Sequence, residues 1–196
     1  MDKSTSDIQP DILAVTDSDE KPNMMEPLRL SADSQRRDQL NDLTVELAAA
    51  SARFSSSLPE GVVKALSDLV RAMNCYYSNL IEGHDTHPIE IERALKGDYS
   101  RDTGKRNLQL EAKAHIEVQQ WIDEGGLREK AVTVEGLCEI HKRFTELLPG
   151  ELLIVDDPAT GEQIPVVPGE LRQRHLKVGS HIPISPGAVP RFLKRF

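Results

Sequence analysis

The stretch PEGVVKALSDLVRAMNCYYSNLIEG, residues 59–83, carries the strongest helical pattern in this sequence. Its apolar residues recur at intervals of three and four, which places them on one face of an α-helix. Pro59 suits the first turn of a helix, and Gly83 suits the left-handed residue that ends one. We therefore predict a helix from about Pro59 to Glu82. Its apolar stripe consists of Val62, Leu66, Leu69, Val70, Met73, Tyr77 and Leu80.

Helical patterns also occur on both sides of this stretch. The signals are apolar residues at helical spacing, proline in a first turn, glycine after a last turn and threonine as an N-cap. They predict a helix from Arg36 to the break at Ser55–Ser57, one from Pro88 to Gly97, one from about Lys105 to Glu124, and one capped by Thr133.

The sequence changes character after residue 150. Two apolar segments, Glu151–Val155 and Gln163–Val167, flank a turn-forming stretch and predict a β-hairpin. His175–Val178 could add a small strand, and prolines then lead into a last helix. The apolar stripe of that helix ends on Phe196, so we expect its face to require a partner and the domain to be incomplete at the C-terminus. The predicted fold class is mainly α, a helical bundle with a small β-hairpin.

Charge and composition argue against several classes of protein. The 196 residues include 24 Lys and Arg against 32 Asp and Glu, a net charge of −8, which argues against a dedicated nucleic-acid binder. No apolar run reaches the roughly 18 residues that cross a bilayer, and the start lacks the pattern of a signal peptide. The two cysteines, Cys75 and Cys138, form no disulfide framework. We expect a cytoplasmic protein that binds neither nucleic acid nor membrane.

Residues 1–34 hold much of the negative charge. They contain eight acidic and three basic residues, three prolines and little apolar periodicity. Such a segment buries too little apolar surface to offset the entropy lost on ordering. We predict a disordered acidic tail, with a partner-binding arm as the alternative.

Common catalytic and metal-binding signatures are absent from the sequence, among them GxGxxG, GxxxxGK[ST], HExxH, CxxC and GxSxG. Cys138 and His141 lie three residues apart on one predicted helix face, a spacing that metal ligands can use. Both fall on the apolar stripe of that helix. We interpret them, together with His115, as a buried cysteine and hydrogen-bonded core histidines. The basic residues of the last helix are interpreted as a solvated face: Arg191, Lys194 and Arg195.

The segment Ser78–Gly83 breaks a rule of helix ends. It places Glu82 in the last turn, where unpaired carbonyl groups make a negative end and disfavour an acid by about 0.3–1 kcal/mol. Ser78 lies four residues earlier and shares the same helix face, so the two side chains can support each other. Taken alone, Glu82 is an ordinary surface acid. Taken as a site, it is a positioned anion that would pair with an arginine or displace a phosphate.

Residues 78–90, SNLIEGHDTHPIE, resemble the inhibitory helix of Fic-family proteins, whose pattern is [ST]xxxE[GN]. Three later blocks are similar to the region that precedes the Fic catalytic loop, in the same order and with the same spacing. These blocks are IHKR at 140–143, PGELR at 168–172 and VGSHIP at 178–183. Leu171 departs from the family, in which an aromatic residue is common at this place.

The resemblance implies a protein adenylyltransferase. Fic proteins transfer AMP from ATP, with Mg²⁺, to a Ser, Thr or Tyr hydroxyl of a target protein, and some members transfer other phosphate-containing groups. By resemblance, Ser78, Glu82 and Gly83 form the inhibitory motif. In that motif the glutamate pairs with an arginine of the catalytic loop and obstructs the γ-phosphate site of ATP.

The resemblance also implies a nucleotide segment and a flap. The residues expected to meet the nucleotide, besides Glu82, are Val178, Gly179, Ser180 and His181. The flap consists of the predicted hairpin and the stretch that follows it, with Gly169 and Arg172 as its matched residues. Such a flap can grip a segment of the target protein by strand addition.

The Fic catalytic loop, which resembles HPFxxGNGRxxR, does not occur in these 196 residues. The one His-Pro pair, His87-Pro88, is followed by Ile89 rather than by a glycine-rich stretch. We therefore expect no catalytic residue and no metal ligand in this chain, and we interpret it as the N-terminal part of a Fic enzyme that is inactive alone. By resemblance the chain divides into a tail at 1–34, a helical region with the inhibitory motif at 35–130, and the first part of the Fic core at 131–196.

Two alternatives to an enzyme part stay open. One is a trans-acting regulator, similar to the small Fic antitoxins, and the other is a non-catalytic helical interaction module. The expected partners of the enzyme are ATP and a target protein, and a homodimer stays open as an assembly.

Overall fold

A computed structural model describes residues 16–22, 30–84, 86–156, 161–177 and 179–195. Within these ranges the chain is mainly α-helical with one two-stranded antiparallel sheet, which confirms the predicted class at this level. The chain divides into two compact units, one of residues 27–170 and the other of residues 1–26 with 171–196. The helices are α1 Arg37–Ser57, α2 Glu60–Ile81, α3 Pro88–Leu95, α4 Thr103–Asp123, α5 Val134–Glu146 and α6 Val189–Leu193, and the strands are β1 Ile154–Asp156 and β2 Gln163–Pro165.

The core of the larger unit lies where α2, α3 and α4 meet. Cys75, Ile91, Ala112 and Ile116 form one buried cluster, and none of them is more than 6% exposed. α3 begins at Pro88, whose fixed φ suits a first turn. Because α3 is only eight residues long, it depends on this packing for its stability.

α2 buries a different face from the one that its apolar pattern predicts. Its buried residues are Arg71, Cys75 and Asn79, which repeat every four residues. The predicted stripe is largely open to solvent, with Leu69 57% and Tyr77 55% exposed. The bounds of α2 therefore agree with the prediction, whereas the direction in which it packs does not. The exposed members of the stripe are Val62, Leu66, Leu69, Val70, Tyr77 and Leu80.

The buried guanidinium of Arg71 is neutralised by two aspartates. It donates to Asp68 on the same helix, and its Nη1 lies 2.6 Å from Oδ2 of Asp123 at the end of α4. Burial lowers the pKa of Arg71, but the hydrogen bonds to Asp123 and Asp68 outweigh that effect and raise it overall. The ion pair ties α2 to α4 and explains how a charged residue can occupy the buried face of α2.

α1 carries apolar residues but buries none of them. Leu43 is 50% exposed and Leu47 is 70% exposed, although both belong to its apolar stripe. The helix ends at Ser57, and Leu58 returns to an extended conformation. The sequence thus predicts the extent of α1 correctly, and the structure leaves its apolar side open.

α5 contacts α4 and begins at a well-formed cap. Oγ1 of Thr133 accepts a hydrogen bond from the amide of Gly136 at 3.0 Å, which confirms Thr133 as the N-cap. Glycine is required at position 136 because a Cβ there would lie 1.9 Å from the carbonyl oxygen of Lys130. At the other end of α5, the guanidinium of Arg143 lies 4.1 Å from the ring centre of Trp121 on α4, a cation–π contact.

The smaller unit joins parts of the chain that are 165 residues apart in sequence. Residues 16–22 are hydrogen-bonded to the segment from Ser185 to Arg191, so over this stretch the structure differs from the predicted disordered tail. The apolar face of α6 was expected to be uncovered, but the structure differs, because Phe192 on this face is only 4% exposed. Phe196, the last member of that stripe, lies outside the described residues.

Two further predictions on the C-terminal part of the chain, one on Arg191 and one on residues 175–178, are wrong. Arg191 is not simply part of a solvated face, because its Nη2 lies 2.9 Å from Oδ1 of Asp17. Residues 175–177 form no strand, and Val178, the last residue of the predicted strand, lies outside the described residues.

None of the helices in the described ranges is long and apolar enough to cross a membrane. Over the same ranges, no three His, Cys, Asp or Glu side chains gather into a group that could hold a metal ion. The boundaries of the two compact units, at residues 26 and 170, do not coincide with the sequence-based boundaries at 34 and 130, which stay a prediction.

The two cysteines are expected to differ strongly in reactivity. Cys75 is fully buried, and burial raises the pKa of its thiol to about 12, so very little thiolate exists at pH 8. Cys138 is only half-buried. We expect iodoacetamide to modify Cys138 at least about a hundredfold faster than Cys75 in the native protein, and to modify both in urea. Mass spectrometry of modified peptides over time measures both rates, and equal native rates would contradict the burial of Cys75.

Candidate functional site

The C-terminal end of α2 presents the predicted inhibitory residues. The helix ends at Ile81, and the amide of Glu82 still donates to the carbonyl of Ser78 at 3.2 Å. Gly83 follows with a φ of +81°, a left-handed geometry that glycine adopts at little cost. Ser78, Glu82 and Gly83 are all exposed. The carboxylate of Glu82 follows the negative end of the helix and has no ion pair among the described residues.

The turn behind Glu82 is fixed from its buried side. Asn79 is 5% exposed and Thr86 is 2% exposed, and Nδ2 of Asn79 lies 3.4 Å from Oγ1 of Thr86. The carbonyl of Asn79 also accepts a hydrogen bond from the amide of His84 at 2.8 Å. Because the turn is held at both ends, buried residues and not its own side chain set the backbone position of Glu82.

Asn79 and Thr86 are site residues that the sequence reasoning missed. Asn79 lies one residue after Ser78, on the face of α2 that also buries Arg71 and Cys75. An asparagine inside a helix is a weak helix former, so its presence there was a signal for a side-chain role. The predicted support of the Glu82 carboxylate by the Ser78 hydroxyl is not seen, because the hydrogen bond that joins these two residues in the described part of the chain is the backbone bond of the helix end.

Apolar side chains of the last turns of α2 are open to solvent beside Glu82. Tyr77 is 55% exposed, Leu80 is 48% exposed and Ile81 is 83% exposed. Exposed apolar side chains that cluster at one place are typical of a surface that a partner covers. The end of α2 therefore presents an exposed carboxylate, on a backbone held by buried residues, together with exposed apolar side chains.

Gly169, a residue of the predicted flap, is hydrogen-bonded to His141 on α5. The amide of Gly169 donates to Nδ1 of His141 at 3.0 Å, so the ring proton is carried by Nε2. Gly169 has a φ of +79°, and a Cβ there would lie 3.1 Å from Cβ of Lys142 and 3.3 Å from the carbonyl oxygen of Cys138. Glycine thus lets this segment approach α5 closely. The interpretation of His141 as a hydrogen-bonded histidine is confirmed.

The two strands before Gly169 form the predicted hairpin. Ile154 lies opposite Pro165, and Asp156 lies opposite Gln163. The amide of Val166 donates to the carbonyl of Leu153 at 2.7 Å and extends the ladder. Within the described part of the chain the sheet has two strands, so each strand has one edge with no strand of that part paired to it, and such an edge can accept a further strand.

The other predicted flap residue, Arg172, belongs to the smaller unit. Its Nη1 donates to the carbonyl of Arg174 at 3.0 Å, and its guanidinium also donates to the carbonyl of Ile184. These bonds bridge the base of the loop of residues 173–184. The described residues of the predicted nucleotide segment lie in this loop and are exposed: Gly179, with a φ of +60°, Ser180 and His181. Val178 lies outside the described residues.

The predicted site residues therefore fall into three groups. Ser78, Glu82 and Gly83 lie together at the end of α2, and Gly169 lies beside α5; both groups belong to the larger unit. Arg172 and the loop that carries Gly179 belong to the smaller unit.

Comparisons with known proteins return no relative of this chain. No family model, no curated protein and no solved structure matches it.

Proposed function

We propose that this chain carries the inhibitory helix and the target-binding flap of a cytoplasmic Fic-type protein adenylyltransferase, with Glu82 as the inhibitory group. The observation that carries the proposal is the exposed carboxylate of Glu82, one turn after Ser78 at the end of α2. Since this end of a helix disfavours an acid, a cation from a partner surface would stabilise Glu82. An arginine of a Fic catalytic loop is such a cation.

The surroundings of Glu82 support this role. The turn from Asn79 to Thr86 is held by buried groups, so Glu82 can meet an arginine without the entropy cost of ordering the turn. Tyr77, Leu80 and Ile81 offer exposed apolar surface on the last turns of the same helix. A partner that covers this surface would also exclude water and strengthen the ion pair.

The hairpin supports the second part of the proposal. Its unpaired edges can add a segment of the target protein as a further strand, which brings a Ser, Thr or Tyr hydroxyl to a fixed place. The hydrogen bond between Gly169 and His141 fixes the base of the flap on α5. The base of the flap is therefore held, while no other strand of the described ranges pairs with its edges.

The residues present do not make a complete site for ATP with Mg²⁺. The chain offers Glu82 and the exposed loop residues Gly179, Ser180 and His181. The glycine-rich loop with its arginines, which would hold the phosphates in a Fic protein, does not occur in the sequence. We therefore derive no catalytic step from this chain. Incubated alone with labelled ATP and Mg²⁺, it is expected not to label itself, and robust self-labelling would overturn this point.

A second candidate function is favoured by the open apolar faces of α1 and α2. These faces suit a chain that acts in trans, either as a regulator of a separate Fic enzyme or as a helical interaction module. The DNA that follows the codon for Phe196 discriminates between them. A sequence for HPFxxGNGRxxR, in frame or frame-shifted, favours the enzyme part; a separate neighbouring Fic gene favours the regulator; neither favours the module.

Replacement of Glu82 by glycine is expected to raise AMP transfer in the assembly that contains the catalytic loop. The reason is the loss of a charge-assisted contact to the loop arginine, worth about 1.5–3 kcal/mol, which corresponds to an increase of about tenfold or more. The measurement is the incorporation of labelled AMP into protein. The loop is supplied either in the same polypeptide or by the product of a neighbouring gene.

Glu124 provides a matched control. It is the C-cap of α4 and precedes Gly125, which has a φ of +85°, just as Glu82 is the C-cap of α2 and precedes Gly83. Glu124→Gly is expected to leave AMP transfer unchanged. If both variants gave the same rate as the unchanged protein, Glu82 would have no inhibitory role.

A further inference from the structure

Residues 16–22 hold Ser185 through a network of hydrogen bonds. Both carboxylate oxygens of Glu20 take part, because Oε1 accepts from the amide of Ser185 and Oε2 accepts from its hydroxyl, each at 2.7 Å. The hydroxyl oxygen of Ser185 accepts in turn from the amide of Ser18 at 2.9 Å. Ser185 is 1% exposed, so its polar atoms depend on these partners and not on water.

Three further contacts join the same two segments. The amide of Gly187 donates to the carbonyl of Thr16 at 2.9 Å. A Cβ at position 187 would lie 2.8 Å from that carbonyl oxygen, so the close approach of the two segments requires glycine. Arg191 donates to the carbonyl of Glu20 and lies 2.9 Å from Oδ1 of Asp17. Side chains and backbone of residues 16–22 thus contact residues 185–191 at several points.

This contact lies at the base of the loop that carries Gly179, Ser180 and His181. Arg172 bridges the base of the 173–184 loop by donating to the carbonyl of Ile184, and Ser185 is the next residue. The loop is therefore fixed at its C-terminal end from two sides, by Arg172 and by Glu20. Within the loop, residues 175–177 have no regular secondary structure.

We propose that residues 16–22 form an intramolecular clamp, here called the acidic clamp, which holds the base of the 173–184 loop and thereby orders Gly179, Ser180 and His181. Glu20 is the positioning residue of this clamp. The clamp depends only on contacts within the smaller unit. The assignment of the loop tip to a nucleotide is the one element that rests on the proposed function.

The charge of Glu20 keeps the clamp closed at neutral pH. The hydrogen bonds from the hydroxyl and the amide of Ser185 lower the pKa of Glu20, with a smaller contribution from Arg191, while Asp17 is the other charged group at the contact. A lowered pKa means that the closed clamp stabilises the carboxylate. Its contribution is present above the ordinary pKa of glutamate and is lost as the pH falls through the lowered value. The clamp is therefore not a switch near pH 7.

Hydrogen exchange of the full chain at pH 7 tests the clamp. Glu20→Ala is expected to speed the exchange of the Ser185 and Gly187 amides by about tenfold or more, and to loosen peptides that cover the loop tip, because both charge-assisted bonds are lost. Glu20→Gln keeps one acceptor oxygen and is expected to give an intermediate rate. Peptides from α2, α3 and α4 are expected to stay unchanged, which shows that the larger unit remains folded.

Asp33→Ala is the matched control. Asp33 is exposed, lies in the same predicted tail and loses the same charge when replaced, so it is expected to leave the exchange of the loop unchanged. The clamp would be overturned if Glu20→Ala left the exchange of Ser185 and Gly187 unchanged, or if Asp33→Ala changed it equally. No nucleotide is present in this experiment, so failure of the proposed function would not alter its outcome.

Discussion

Gly136→Ala is expected to destabilise the larger unit by about 2–4 kcal/mol. In an exposed helix the same change would stabilise by about 1 kcal/mol, because alanine is the better helix former. At position 136 the new Cβ would lie 1.9 Å from the carbonyl oxygen of Lys130. That carbonyl cannot move easily, since it accepts hydrogen bonds from both the amide and the hydroxyl of Thr133. The cost combines an overpacked contact with a disturbed N-cap.

Urea unfolding followed by circular dichroism measures this effect, and Gly61→Ala is its control. Gly61 is also near the start of a long helix, α2, but apart from the adjacent backbone of that helix no atom of the described residues lies within 4 Å of the place its Cβ would take. Gly61→Ala is expected to raise stability by about 0.5–1 kcal/mol. Stabilisation by both variants would show that Lys130 does not approach Gly136 as described.

Ile91→Ala is expected to cost about 2–5 kcal/mol of unfolding free energy. Ile91 is 1% exposed and is the buried side chain that α3 inserts against Cys75, Ala112 and Ile116. Its truncation leaves a cavity among α2, α3 and α4. Because single domains are stable by only about 5–15 kcal/mol, the variant would lose a large share of its stability.

Ile89 is the matched control for this prediction. It lies on the same short helix, two residues earlier, but is 59% exposed. Ile89→Ala is expected to cost less than about 0.5 kcal/mol in the same urea experiment. If the two variants lost equal amounts of unfolding free energy, α3 would pack against the core with a different face from the one described.

Local signals in the sequence account for most of the secondary structure. Proline in the first turn of α3, the N-cap Thr133 and the positive φ of Gly83 each act within four residues, so one sequence is enough to read them. The hairpin from Ile154 to Pro165 follows from the same kind of local pattern. Element type and extent were therefore predictable.

Long-range contacts account for what the sequence did not predict. The burial of Arg71 depends on Asp123, 52 residues later, and the order of residues 16–22 depends on Ser185. The high charge and low apolar content of residues 1–34 predict disorder for residues 16–22. In the structure, however, the carboxylate of Glu20 accepts hydrogen bonds from Ser185. At the candidate site, the exposed position of Glu82 was predictable from the helix end. The buried hydrogen bond between Asn79 and Thr86 was not predictable, because it depends on how the chain folds back after α2.

Because α2 buries polar residues and exposes its apolar stripe, selection for folding and selection for partner binding act on different positions of this helix. Positions 71, 75 and 79 are constrained by folding, although two of them are polar. Positions such as Leu69 and Tyr77 are free of that constraint, although they are apolar. A mutational scan scored by protein abundance would therefore be intolerant at Arg71 and tolerant at Tyr77. The same scan scored by the activity of an assembly would be intolerant at the exposed apolar positions. Positions that are intolerant only in the activity scan would therefore mark the surface that a partner covers.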